Sequence, residues 1–488
     1  MKKIADWALN TATSRGATYA EARLVDERNR ALATKNGKIA SASDSESMGL
    51  GIRVIADGGW GFAATKDLTQ AGVERCAIHA VEIARASGRV QRAPLRLAPE
   101  KPAKVDWSSP CAVDPFTTSI GQNLDLLRAI DETLRSVEGI TLAETNMNFR
   151  HHEQWFWNTD GSDIHQVRTT VGAGFAALSF EESEIQKRSY PNSFGGQWQN
   201  KGYELIDELD LLGNAKRIAE ECVALHKAPQ CPQGRADIIL DSSQLGLQIH
   251  ESIGHPIELD RVLGMEANFA GTSFLTLEKL NTLKYGSDLV NVVADATEQH
   301  GPGLGTFAYD DEGVQAQCVP IISKGQFKGY LSSRDTAAMI GRERSGGNMR
   351  AESWNRVPIV RMTNISILPG EKPLTLEQLI SSTDDGIFMQ TNRSWSFDDK
   401  RYNFQFGCEI GWEIKGGKLG RMLKNPSYSG ITTEFWNSMD AICSRDQWTL
   451  WGTPNCGKGQ PQQTMGTGHG ASPARFRNVK IGSAYKGT

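Results

Sequence analysis

No stretch of this chain approaches the ~18 consecutive apolar residues that a membrane-spanning helix needs. The opening run Met1-Lys2-Lys3-Ile4-Ala5-Asp6-Trp7-Ala8-Leu9-Asn10 is interrupted by Asp6 and Asn10, so it reads as an amphipathic helix and not as a signal peptide. An excess of either charge is missing too: 53 basic residues stand against 57 acidic ones, a net charge of −4. That balance excludes the basic footprint of a nucleic-acid binder and a polybasic membrane patch. Cysteines are few, eight in 488 residues, and none falls in a tight spacing pattern. They read as reduced thiols, which makes the cytoplasm the expected compartment. Glycine fingerprints for dinucleotides or phosphates are absent, as are internal repeats and low-complexity tracts. Histidine is scarce as well, nine in all, yet two of the nine flank a glutamate inside one hexapeptide.

What is present fits an ordinary soluble globular protein, with 39% hydrophobic and 23% charged residues and length for about three domains. Asn36-Gly37 and Asp57-Gly58-Gly59 are hairpin signals between strand-like runs such as Gly51-Ile52-Arg53-Val54-Ile55-Ala56 and Trp60-Gly61-Phe62-Ala63. A helix follows, with Asp67 as its expected N-cap, Val73, Cys76, Ala77, Ala80, Val81 and Ala84 on one face, and Gly88 at its end. Residues 88–110, rich in Pro, Arg and Lys, read as a linker. Helical periodicity over 123–137 and a hairpin around Asp160-Gly161 mark a second unit. A further linker at 228–234 leads into a long glycine-rich, strand-rich region. The expected fold class is therefore α+β. Residues 1–100 form an N-terminal α/β domain, 101–230 a middle α/β domain, and 231–488 a large antiparallel, barrel-like C-terminal domain.

The chemistry collects in that last region. The apolar strand Ala236-Asp237-Ile238-Ile239-Leu240 is followed by Asp241-Ser242-Ser243-Gln244, a helix start with Asp241 as cap. The helix runs into His250-Glu251-Ser252-Ile253-Gly254-His255. In the better-known zinc motif, two histidines four positions apart share a helix face and the glutamate is general base. Here the spacing is five, which on a regular helix leaves the two side chains roughly 140° apart. Gly254 weakens the helix and Pro256 pushes His255 from α geometry. A π-type widening or an unwound C-terminus would bring the imidazoles together. The plainer alternative is a packed His250 and a helix-capping His255. Two of nine histidines around one glutamate weigh against it.

Catalytic zinc commonly takes three protein ligands and keeps one position open. Cys408 alternates in register with Tyr402, Phe404, Phe406, Ile410, Trp412 and Ile414, so it is a core residue. Cys443 also reads as packing, on a helix face with Phe435 and Met439. Cys456, in Gly452-Thr453-Pro454-Asn455-Cys456-Gly457-Lys458-Gly459-Gln460, is expected on a loop, its thiolate favoured by Lys458. His469 is the rival third ligand, or a group that meets substrate. Glu258 and Asp260, just past the motif, suit capping and the orienting of a histidine.

These residues resemble the TldD/PmbA family of metallopeptidases, over essentially the whole chain. The resemblance rests on Tyr19-Ala20-Glu21-Ala22-Arg23, Gly49-Leu50-Gly51-Ile52-Arg53-Val54, His250 to Asp260, Tyr309-Asp310-Asp311-Glu312-Gly313, Arg361-Met362-Thr363-Asn364 and Asn455-Cys456-Gly457-Lys458-Gly459-Gln460. The five-spaced motif is that of the TldD-like, metal-binding members. The resemblance implies His250, His255 and Cys456 as Zn²⁺ ligands and Glu251 as the essential glutamate. It implies a peptide substrate, short or unfolded, and a homodimer or a heterodimer with a metal-free paralogue. The tail Thr464 to Ala474 departs from the best-known TldD members and leaves the substrate open. A non-catalytic peptide-binding or assembly partner is the competing reading, against which the retention of Glu251 argues.

Overall fold

Two type I′ turns set up the N-terminal half. Asn36 and Gly37 (φ +47° and +77°) and Asp57 and Gly58 (φ +50° and +77°) take the left-handed backbone that lets strands reverse tightly. They join Tyr19–Lys35, Lys38–Ala56 and Gly59–Thr65 into an antiparallel meander. The computed structural model describes residues 1–482 apart from 92, 269 and 270. The meander does not end with the first unit: Tyr19–Lys35 pairs along its other edge with Ile140–Asn158, which turns at Asp160-Gly161 into Asp163–Glu181. One eight-stranded sheet thus runs through both N-terminal units.

Helices cover one face of this sheet. Lys2–Ser14 and Gln70–Gly88 interlock through Ala5, Ala8, Ala12, Ala77, Ala80 and Ala84, small side chains that allow close approach. Ile120–Arg135 buries Leu127, Ile130 and Leu134, each contributing roughly 1.5–3 kcal/mol of apolar burial. Two local expectations are corrected. Thr69, not Asp67, caps Gln70–Gly88, because the Asp67 carboxylate accepts from the Thr69 amide and hydroxyl and draws the start of the helix two residues on. Within 88–110, Lys104–Ser108 is a strand, parallel to Asp163–Glu181.

From Gly234 onward strands dominate. Asp385–Phe397, Gly234–Leu240, Ala474–Ile481, Ser427–Ile431 and Asn403–Lys415 pair in that order, and Asn403–Lys415 pairs back onto Asp385–Phe397, closing a barrel. Beside it lies a six-stranded sheet ordered Gln326–Phe327, Cys318–Ser323, Val292–Asp295, Asn364–Ile367, Gln463–Ala471, Thr449–Lys458. One core containing Leu240, Ile249, Ile253, Ile365, Phe406 and Phe476 fills both. The α+β, barrel-containing architecture is the one expected. Among the described residues no helix is long and apolar enough to cross a membrane.

Candidate metal centre

The short helix Ser242–Ile249 leaves the barrel strand Gly234–Leu240 with Asp241 as N-cap, its carboxylate accepting from the Gln244 amide at 2.9 Å. At His250 the helix widens into a π-turn, His250–Gly254, and the His255 amide donates to the His250 carbonyl at 3.1 Å, five residues back. Of the two distortions open to the motif, the chain takes the widening. A Cβ on Gly254 would lie 2.1 Å from Met362 Sδ, so the glycine lets the methionine pack directly on the turn. The two imidazoles stand edge to face with ring centroids 4.9 Å apart.

The third group arrives from the other sheet. Cys456 does not sit on a loop: it belongs to the strand Thr449–Lys458, opposite Met465, and is 4% exposed. Pro454 and the surrounding glycines read as loop formers, but the register slips between Thr453 and Cys456, and an edge strand tolerates a proline at such a bulge. The Cys456 Sγ lies 3.9 Å from His255 Nε2, and one ligand atom from each of His250, His255 and Cys456 falls within 4.8 Å of the others.

Hydrogen bonds orient the imidazoles. The Ile365 carbonyl can only accept, so His469, 3.1 Å away through Nδ1, carries its proton there. Burial holds this histidine well below its ordinary pKa, so it is neutral and its Nε2 is a lone pair. That nitrogen lies 2.7 Å from His250 Nδ1, which must therefore be the donor. The proton on Nδ1 leaves His250 Nε2 bare. On the other side, His255 Nδ1 donates to Glu258 at 3.1 Å, which bares its Nε2 toward Cys456. Both imidazoles thus present the tautomer that binds a cation. Burial depresses the pKa of both, which keeps them neutral.

Cys456 stands apart from the other cysteines. Burial alone would push its thiol up, but the Arg361 guanidinium and His255 hold it below its ordinary value. Burial drives the other seven upward, Cys443 and Cys222 to about 12 and Cys408 well above the usual range. Arg361, not Lys458, supplies the positive charge. The Lys458 ammonium lies 2.8 Å from Asp260, 2.7 Å from the Val360 carbonyl and 3.4 Å from Glu258, and so locks the Glu258–Asp260 segment behind His255. Glu251 sits beside the cluster, 5% exposed, and forms an ion pair with Arg401.

Arg401 escapes sequence reasoning. It lies at the tip of the hairpin 398–402 (φ +63°) in an Asp-Asp-Lys-Arg run that looks like any solvated turn. His469 stands behind His250 as its hydrogen-bond partner, Nε2 2.7 Å from His250 Nδ1. Replacing it with phenylalanine removes the acceptor that fixes the His250 tautomer, and zinc affinity is expected to fall about 10–100-fold by competition with a chromophoric chelator. His469→Gln, whose amide oxygen can accept the same bond, should recover most of it. A second cluster, Asp295, His300 and Cys318, offers a carboxylate, one imidazole and a thiol. Its carboxylate is already engaged, by Thr297 through one oxygen and by His300 at 2.6 Å through the other, and burial pushes the Cys318 thiol up to about 11.

The donor set of the first cluster, two neutral imidazoles and a thiol prone to ionise, fits zinc. Nearly the whole chain matches known proteins. Residues 20–84, 114–227 and 233–483 match the profiles of domain 1, the central domain and the C-terminal domain of PmbA/TldA metallopeptidases. A metalloprotease of Methanothermobacter thermautotrophicus is 28% identical over 464 residues, 95% of each chain. A zinc metalloprotease TldD homolog of Saccharolobus solfataricus is 24% identical, over 97% of this chain and 98% of its own. The solved TldE of Thermococcus kodakarensis superposes with a TM-score of 0.72 at 15% identity, over 98% of this chain and all of that one, a likeness of fold.

Proposed function

Since the chain belongs to the PmbA/TldD metallopeptidase family and is a metalloprotease of that type, we propose that it is a zinc-dependent peptidase of the cytoplasm that hydrolyses short or unfolded peptides, with Glu251 as general base. The observation that carries this reading is the meeting of His250, His255 and Cys456 within 4.8 Å of one another at the π-turn that also holds Glu251. Zinc bound there would polarise the scissile carbonyl and bring the pKa of a water toward ~7. His250 and His255 would hold it through Nε2 and Cys456 through Sγ. Glu251 takes the proton of the attacking water on its carboxylate and returns it to the leaving amine. Arg401, ion-paired with it, keeps that carboxylate aimed until substrate arrives.

An extended peptide would add to an exposed strand edge through main-chain bonds, which makes binding tolerant of sequence. The chain is read as pairing with itself or with a metal-free paralogue, and its likeness in fold to a TldE supports the second form. The test is cleavage of an unfolded reporter peptide by purified protein. Stripping with a chelator is expected to abolish cleavage, and stoichiometric zinc to restore it. Cleavage indifferent to chelator would overturn the reading.

A further inference from the structure

A cavity of 210 Å³ opens beside the metal centre, between the N-terminal sheet and the strand that carries Cys456. It exceeds the ~150 Å³ that admits a benzene ring. Pro454 and Met465 line it; the first lies two residues from Cys456 and the second is its cross-strand partner. Phe149, Trp198 and Leu304 make its apolar wall. Four arginines, Arg30, Arg150, Arg168 and Arg350, make the rest of it basic.

The four are not equivalent. Arg30 is neutralised by Asp44 at 2.8 Å, and Arg150 by Glu27, which also holds His152. Arg350 donates to three backbone carbonyls, of Met362, Gly466 and Leu304, and to no carboxylate. The Arg168 side chain has no hydrogen-bond or ion-pair partner among the described residues. Asp311, the nearest acid to act on it, spends one oxygen on Gln154 and the other on the Ala351 amide. A half-buried guanidinium whose donors no protein group engages is free to take an anion from the cavity, and arginine keeps its charge there. Burial and the neighbouring arginines lower the pKa of both Arg168 and Arg350, the second to about 9.

We propose that this cavity is the substrate's anion subsite, in which Arg168 grips a peptide carboxylate while the scissile bond lies at Glu251. The inference rests on the peptidase reading. One free fork matches one monoanion in bidentate geometry. A phosphate dianion would face Glu352 on the cavity wall. The apolar wall takes the side chain that carries the acid or follows it. The carboxylate is either the peptide's C-terminus or an acidic side chain, and the experiment separates the two.

Full-length protein stripped of metal, so that nothing is cut, is titrated calorimetrically with two peptide pairs. The first is pentaalanine as free acid and as amide; the second is Ala-Ala-Glu-Ala-Ala and Ala-Ala-Gln-Ala-Ala, both amidated. The charged member of one pair is expected to bind about tenfold more tightly or better. The first pair identifies a C-terminal carboxylate and the second a side chain. In Arg168→Gln the preference collapses to within about twofold, while the melting temperature holds, because the side chain makes no hydrogen bond or ion pair in the fold. Arg168→Lys, charged but without the fork, retains part of the preference. Equal binding of charged and neutral members, or a preference that survives in Arg168→Gln, overturns the proposal. Zinc-dependent cleavage is scored separately on the loaded protein: cutting without carboxylate preference removes the subsite alone, and preference without cutting leaves the subsite and removes the peptidase reading.

Discussion

Glu251→Gln is expected to lower peptide hydrolysis by about two to four orders of magnitude while zinc content stays at the wild-type level. The substitution keeps the shape of the side chain and removes the proton acceptor. The ligand atoms of His250, His255 and Cys456 are untouched, and so are the bonds from His469 and Glu258 that orient the imidazoles. A purely structural Glu251, present to neutralise Arg401, predicts something else: a lower melting temperature with turnover per folded molecule little changed. The Arg401 side chain is 19% exposed, so solvent softens the loss of the pair, and the variant should fold. Initial rates on an unfolded reporter peptide, normalised to zinc content, separate the two. Near-normal turnover in zinc-loaded Glu251→Gln would take the base role from this residue.

The centre is legible in the sequence where its geometry is local. A spacing of five inside one hexapeptide already points to an irregular turn, and the π-turn His250–Gly254 is the form it takes; Pro256 does not push His255 from α geometry, since His255 keeps the right-handed helical backbone (φ −66°, ψ −42°). The hairpins at Asn36-Gly37 and Asp160-Gly161 and the cap at Asp241 are local as well. Legibility stops where a contact depends on strand pairing. Nothing near Arg401 in the sequence indicates Glu251, because the barrel's closing hairpin brings them together across 150 positions. His469 lies in a Gly-Thr-Gly-His-Gly run that looks like a loop, and its role depends on the Ile365 carbonyl of the neighbouring strand. Arg361 reaches the backbone of the Cys456 strand and of its neighbour through the Cys456 and Gln463 carbonyls. The strand at Lys104–Ser108 hides inside a Pro-, Arg- and Lys-rich stretch because its pairing is parallel and remote.

Cys456→Ala should strip the centre of zinc. Two imidazoles alone bind the ion far more weakly than a set completed by a thiolate, and the loss should exceed the ~10–100-fold expected when only a supporting hydrogen bond is removed. Folding gives no confounding answer, since trading a buried thiol for a methyl costs little beside the pairings of Thr449–Lys458 with Gln463–Ala471. Cys318→Ala is the matched control, because Cys318 stands opposite Asp295 and is the thiol of the second cluster. If His250, His255 and Cys456 hold the ion, Cys318→Ala retains its zinc through dialysis against a mild chelator and Cys456→Ala does not. The reverse outcome would move the metal to Asp295, His300 and Cys318 and leave Glu251 without a water to activate. The chemistry of the two thiols decides the expectation: ionisation is eased at Cys456 by Arg361 and His255, and opposed at Cys318 by burial and by Asp295. A metal that must displace a proton from sulfur goes where the protein has already made that proton easiest to lose.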